Sequence, residues 1–501
     1  MAPKTGTSGT DTAFDVVRFT RTAARQRSRR EHRYRDVLVD VYSTGLGLAV
    51  VLMMLGSLVF AVRTHLVLEP RTASSATMTI PQEYLQAGLT VAALLAVALF
   101  SRKIGPVNVR RTEGFWWLGL PVGRRRMVEG SFLRRVVLLF LGTTVAYLPF
   151  SVLASLGAQP LGHVLASVTF GLAAAAVMLL AAIRQVPGRS QGPVPTLVLS
   201  VATSVLPSVA SAGLYWPPMV LAVAVLALWL LIAPRTGTVP GVELTRGGAV
   251  AGHAGSAVFF MDVNELTRAF SGTPGSGSVS RFRRLYALPA RRPWTALLLA
   301  DATAFLRHTT QWRTLAALLA LALAVMMTDG GLALPARLAV LFVAGCAAAS
   351  AVGVVAKRTA ITPGVDAVLP LHPATVRTSR MMLPALALSL WMGCLMGGMI
   401  LLGLAGPALL LPGAIAGLGM GAGAVRGAYR RAPDWSRPPV ETPFGPVPSA
   451  QLRSFTAGID TVLIAMAPVL LALYSGQVPG LLVVAQLVAS AIAVLMAAFS
   501  R

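Results

Sequence analysis

Apolar runs of roughly 20 residues, separated by shorter polar connections, recur along almost the whole 501-residue chain. A helix needs about 17–25 predominantly apolar residues to cross about 30 Å of hydrocarbon. Runs of this order lie at residues 43–62, 84–100, 136–156, 162–183, 195–214 and 217–233, and again at 314–327, 336–356, 382–404, 407–423, 455–474 and 480–499. The pattern predicts an all-α integral membrane protein with about 12 transmembrane helices. A long polar stretch divides them into two six-helix halves. The expected organisation is a cytoplasmic N-terminal segment (1–42), a first six-span half (43–233), a cytoplasmic linker (234–313) and a second six-span half (314–501).

Each half is preceded by a stretch suited to a helix lying on the membrane surface. In residues 14–40, Phe14, Val17 and Phe19 stand among arginines; in 293–312, Leu297, Leu298, Leu299, Phe305 and Leu306 accompany Asp301 and Arg307. The Gly/Ser-rich pieces 247–255 and 271–280 read as flexible linker.

Composition agrees with the class. Of the residues, 55% are hydrophobic and 12% charged, and the mean hydropathy is +0.70. The formal net charge of +25 would suit nucleic acid as well as a membrane, but the arginines are spread over many connections and do not gather in one domain. They read as topology signals beside anionic membrane lipids, with no nucleic acid partner. With both termini placed in the cytoplasm, 40 of the 43 basic residues fall on the cytoplasmic side; Arg63, Arg71 and Arg337 are the exceptions. The expected location is the cell inner (plasma) membrane, crossed many times. Arg29-Arg30 is followed by further charge and by no immediate apolar core, so neither a twin-arginine nor a cleavable signal is expected.

Chemistry is sparse. The histidines (His32, His65, His163, His253, His308, His372) lack metal-ligand spacing, Cys346 and Cys394 lie inside apolar runs, and Gly272–Ser278 (GTPGSGS) lacks the Lys-Ser/Thr ending of a phosphate-binding loop. The sequence predicts no enzyme, no cofactor and no metal. Every acidic residue falls in a connection or at a run end, Asp460 lying nearest to a run interior. A charge-free interior argues against ion coupling and suits a hydrophobic or amphipathic cargo moved by an outside energy source. Gln486, inside a run, reads as a helix-packing hydrogen bond before a substrate ligand. The pairs Gly393/Gly397, Gly417/Gly421 and Gly419/Gly423 read as close helix packing before a cargo path.

Two connections stand out. Residues 112–126 (TEGFWWLGLPVGRRR) and 362–376 (TPGVDAVLPLHPATV) each follow the second run of a half, and each carries a Leu-Pro step, Leu120-Pro121 and Leu369-Pro370. The steps lie half a chain apart, which suggests equivalent halves. Trp116 and Trp117 suit headgroup level, Pro121 presets a bend, and Arg124, Arg125 and Arg126 offer charge to lipid phosphate or to a partner's carboxylates. An interfacial loop with positive-inside arginines accounts for the same residues.

The segment Leu120-Pro121-Val122, followed by Arg124-Arg125-Arg126 and a basic helix, resembles the coupling segment of bacterial ABC exporter permeases of the type II exporter fold, here in a fused two-half form. Leu369, Pro370, Leu371 and Pro373 carry the echo in the second half. The resemblance implies a membrane-spanning permease subunit, without its own ATPase motif, that moves a hydrophobic or amphipathic substrate by using a separate ABC ATPase subunit. It implies a surface helix before each half and contact with the ATPase through Trp116, Trp117, Leu120, Pro121, Arg124, Arg125, Arg126, Leu369, Pro370, His372, Pro373 and Arg377. The long central linker and the lack of basic residues directly after Leu369-Pro370 depart from the family's pattern. The alternatives are an ion-coupled or facilitative secondary transporter and a non-transporting membrane scaffold.

Overall fold

The computed structural model describes residues 80–119, 123–154, 159–187, 194–259, 292–329, 334–360, 363–430, 440–442, 445–447 and 456–499, together with Thr22 and Gln26. The expected first span (43–62), nearly all of the N-terminal surface stretch, the 271–280 linker piece and the step Leu120-Pro121 lie outside the described residues.

Among the described residues, eight helices are long and apolar enough to cross a membrane, or nine if one bent pair counts as a single span. The chain is an all-α, multi-pass membrane protein. It divides into two compact units, residues 1–60 with 90–249 and residues 61–89 with 250–501.

The first unit contains most of α1 (Gln82–Ile104), then α2 (Arg111–Trp117), α3 (Arg124–Ala154), α4 (Pro160–Ile183), α5 (Val194–Thr203), α6 (Leu206–Ser211) and α7 (Trp216–Ile232). A 3-10 turn, Ala233–Thr238, leads into α8 (Gly241–Phe259). Helix α4 is its centre. Pro160 at the first helical turn leaves no amide to satisfy, and the alanine-rich face Ala173, Ala174, Ala175, Ala176 and Ala182 lets α3 and α7 close on it. Phe132 of α3 stacks on Trp229 of α7, with ring centroids 5.4 Å apart. The apolar run 195–214 is not one helix but the pair α5 and α6. The hydroxyls of Thr203 and Ser204 bond back to the carbonyls of Leu199 and Val201 at the break, and Pro207 starts the next helix.

The structure corrects the linker reading of 247–255, which is the body of α8. Gly247 and Gly248 are close-approach positions rather than flexible ones: a Cβ on Gly247 would collide with the carbonyl of Ile104, and one on Gly248 with that of Val109. The amide of Val109 donates to the carbonyl of Leu244 at 3.2 Å. Helix α8 therefore braces the segment between α1 and α2.

The second unit contains β1 (Ile80–Pro81), α9 (Pro293–Arg307), α10 (Thr309–Met327), β2 (Thr328–Asp329), α11 (Leu334–Val352), α12 (Val354–Ala360), α13 (Pro363–Val368) and α14 (Pro373–Leu401). After these come a 3-10 turn, α15 (Leu410–Ala428), β3 (Val440–Thr442), β4 (Gly445–Val447), α16 (Ile459–Ser475) and α17 (Gly480–Ala498). The strands form two minimal pairings, β1 with β2 in parallel and β3 with β4 antiparallel. Helix α15 is the hub, packed on α14, α16 and α17. Gly417 and Gly421 lie so close to the backbone of Ser389 and Ala385 that a Cβ at either would clash. Gly393, by contrast, has nothing within 4 Å of its Cβ position. A methionine-rich core of Met392, Met396, Met399, Met420 and Met466 fills the remaining space.

The run 336–356 is bent. Helices α11 and α12 meet at Gly353 at an angle of 56°. Lys357 reaches back across the bend, where its ammonium donates to the carbonyl of Ser350 at 3.0 Å and to its hydroxyl at 2.8 Å. The break frees backbone carbonyls, and a lysine head is a donor able to satisfy one.

Candidate functional site

Both Leu-Pro connections have the same build: a short helix, the step, then a long helix of 31 residues (α3) or 29 residues (α14). In the first, α2 ends beside Leu118, whose carbonyl accepts from Arg124 Nη2 at 3.4 Å. Glu113 accepts the amide of Arg110 at 3.2 Å and closes the first turn of α2. Phe115 and Trp116 meet edge to face, with centroids 5.5 Å apart, and are 79% and 70% exposed. Arg125 is exposed and pairs with Glu129 one turn on at 3.2 Å. This leaves an aromatic and basic face open.

The segment before α2 is held from two sides. Arg135 of α3 donates to the carbonyl of Asn108 at 2.7 Å and to that of Pro106 at 3.4 Å. Gln185, just beyond α4, accepts the amide of Val107 at 2.9 Å and donates to its carbonyl at 3.3 Å. An irregular backbone in this position must find partners for its polar groups, and these two side chains supply them.

The second connection is anchored by charge. Arg380 of α14 donates from Nη2 to Asp366 Oδ1 at 2.5 Å and from Nη1 to the hydroxyls of Thr359 and Tyr429. The Tyr429 hydroxyl in turn donates to Asp366 Oδ2 at 2.8 Å. Asp366 sits on α13, Thr359 on α12 and Tyr429 just past α15, so one guanidinium ties four elements together. Desolvation by burial pushes the Tyr429 hydroxyl above its ordinary pKa, the neighbouring Asp366 carboxylate acting in the same direction.

A second carboxylate faces the same arginine. Asp301 of α9 is buried; its Oδ2 lies 3.8 Å from Arg380 Nε, and neither atom has a hydrogen-bond partner. Burial raises the Asp301 carboxyl to about 6, with Arg380 opposing the shift and Asp366 adding to it.

Of the residues expected to contact an ATPase, Trp116, Arg124 and Arg125 lie together at the first connection. Leu369 and Pro370 follow α13 directly. His372 and Pro373 serve the start of α14: His372 is its N-cap, accepting the amide of Ala374 on Nδ1 at 3.3 Å, and Pro373 takes the first helical position. Arg377 donates to the carbonyl of Ala498 at 3.4 Å at the end of α17, where exposed carbonyls favour a cation. Arg380, which the run pattern assigns to a connection, is instead a buried helical residue, because Asp366 neutralises it and two hydroxyls accept from its Nη1.

Gln486 is fully buried. Its Nε2 donates to the carbonyl of Ala465 at 2.8 Å and to Ser490 Oγ at 3.1 Å, and Ser490 donates to the carbonyl of Ile415 at 2.9 Å. These bonds join α15, α16 and α17.

A model of a family of unknown function, DUF6297, matches residues 82–438. The chain belongs to this family. The DUF6297 match takes in both Leu-Pro steps and all of Asp301, Thr359, Asp366, Arg380 and Tyr429, and it ends before α16 and α17. No curated protein matches this DUF6297 chain. No solved structure matches it.

Proposed function

We propose that this DUF6297 chain is the permease subunit of a bacterial ABC-type exporter: twelve spans in two halves, both termini cytoplasmic, in the inner (plasma) membrane. A separate ABC ATPase subunit supplies the energy, and the cargo is hydrophobic or amphipathic. The observation that carries the reading is the shared mounting of the two Leu-Pro connections. In each half, an arginine of the long helix after the step fixes the segment before it: Arg135 holds the carbonyl of Asn108, and Arg380 holds Asp366. A connection mounted in this way moves with its long helix as one piece, as a coupling segment must if it is to pass force into the membrane.

The exposed aromatic and basic face around Trp116, Arg124 and Arg125 is the docking surface of the first half, shared with anionic lipid headgroups. Co-purification tests the proposal. An ATPase subunit retained on the tagged chain in a nucleotide-dependent way supports it, and absence of any retained ATPase under both nucleotide conditions removes it. The ion-coupled carrier draws on one observation, the buried Asp301 carboxyl. Collapse of the proton gradient at constant ATP separates the two readings: the exporter keeps its transport and the carrier loses it in proportion.

A further inference from the structure

Arg380 has one nitrogen, Nε, without a hydrogen-bond partner and faces two carboxylates. Its Nη2 is bonded to Asp366 at 2.5 Å, its Nη1 to Thr359 and Tyr429, and its Nε points at Asp301 Oδ2 across 3.8 Å without a bond. A buried acid, Asp301, and a half-buried one, Asp366, on one guanidinium leave an unbalanced negative charge when both are ionised, and a buried unpaired charge is costly. A proton on Asp301 removes the imbalance.

We propose that Asp301 is a proton-binding site that decides which carboxylate holds Arg380, and thereby whether α13, the helix leading into Leu369-Pro370, is latched to its unit. With Asp301 protonated, the arginine belongs to Asp366 and α13 is held. When the proton leaves, the Asp301 carboxylate attracts the facing Nε. Closing 3.8 Å to an ordinary N–H···O length of about 2.9 Å moves the rigid guanidinium fork by about 0.9 Å. That displacement lengthens the Nη2 bond to Asp366 from 2.5 Å to as much as about 3.4 Å, at the weak end of the hydrogen-bond range, and so loosens the hold on Asp366. Helix α13 has six residues, too few to be stable on its own, so its position depends on this tie and on the Tyr429 hydroxyl bonded to the other oxygen of Asp366.

The other groups around Asp301 are accounted for. From α12, Lys357 is turned to Ser350, and Arg358 acts on His308, whose pKa burial and that arginine both lower. From α13 comes Asp366, and from beyond α15 comes Tyr429, whose hydroxyl is bonded within the cluster. On its own element, Arg307 and His308 stand at the far end of α9. The inference shares the Arg380–Asp366 tie with the exporter reading, and its test is separate: the label reads only the hold on α13, whereas retention of an ATPase reads the exporter.

The test uses the full chain in lipid nanodiscs with Cys346 and Cys394 replaced by alanine and a spin label on Val368→Cys, an α13 position that is 84% exposed. The expected result is an immobile label at pH 5 and a several-fold larger mobile fraction at pH 7.5, with a midpoint near the raised Asp301 value of about 6. Asp301→Asn should keep the label immobile at both pH values, and Asp366→Asn should free it at both. Where Asp366→Asn does not fold, Tyr429→Phe replaces it and should raise the mobile fraction at pH 5. An unchanged line shape in the parent chain between pH 5 and 7.5 overturns the proposal. So does a pH response that persists in Asp301→Asn.

Discussion

Arg135 Nη1 donates to the carbonyl of Asn108 at 2.7 Å, fixing the backbone that leads into α2 from a helix that begins only after the Leu-Pro step. Hydrogen bonds from charged donors contribute about 1.5–3 kcal/mol when both groups are part-buried. Arg135→Met keeps the aliphatic stem and removes the donor. The expected outcome is faster tryptic cleavage at Arg110 and Arg111, with helix content unchanged by circular dichroism. Cleavage at the parental rate would show that Gln185 alone holds the segment.

Arg124 and Arg125, exposed at the first connection, and the adjoining Arg126 should matter more to an ATPase partner than the capping histidine of the second. Single exposed ion pairs contribute about 0–1 kcal/mol, but three reversals on one docking face replace attraction with repulsion and multiply that loss. Arg124→Glu/Arg125→Glu/Arg126→Glu also sets residue 125 against Glu129. The triple variant is expected to lose ATPase retention in a salt-dependent manner, provided labelling shows normal insertion. His372→Ala should cost α14 about 1 kcal/mol of stability as a lost N-cap and leave retention intact. Retention at parental strength in the triple variant would return these arginines to the lipid.

Topology can be read by accessibility. Cysteines introduced at Arg71 and Ala158 are expected to react with an impermeant reagent added outside, and those at Gln191 and Gly275 to be protected. Reversal at any one of the four would break the twelve-span arrangement in that region.

Stability should depend on Asp301. Its carboxyl is raised from 3.8 to about 6 in the folded chain, so the folded state binds the proton more tightly than the unfolded one. The contribution is therefore fully present below pH 3.8 and is lost as pH rises through about 6. Its size is at most on the order of 2–3 kcal/mol. Thermal unfolding in detergent should show a midpoint that falls between pH 4 and 7, with a shallower fall in Asp301→Asn. Equal slopes in the two chains would assign the pH dependence to other groups.

The apolar runs made most of the helices legible, since α1, α4, α7, α10, α14, α15 and α17 lie on the predicted intervals. Run length does not report breaks. Neither the bend at Gly353 nor the interruption between α5 and α6 changes local hydropathy, and both depend on which carbonyl a Lys357 or Ser204 side chain can reach. Glycine misled at Gly247 and Gly248, where a missing side chain serves packing, an outcome that depends on the backbone of residues 104–110.

The Arg380 cluster was out of reach for another reason: its members are brought together from positions 301, 359, 366, 380 and 429 by the packing of α9, α12, α13, α14 and α15. One signal was present. Asp366 is the single acid between Asp329 and Asp434, and an isolated acid beside a basic helix invites a search for its partner.

The glycine contacts of α15 constrain where anything can pass. With Gly417 and Gly421 against the backbone of Ser389 and Ala385, and Ser389 Oγ bonded to the carbonyl of Ala414 at 2.8 Å, the seam between α14 and α15 has no width for even a methyl group at these two turns. The two helices behave as a single plank. Any conduit for an oily molecule in this unit must run along a different face of that plank, and side chains chosen to block it should be placed there.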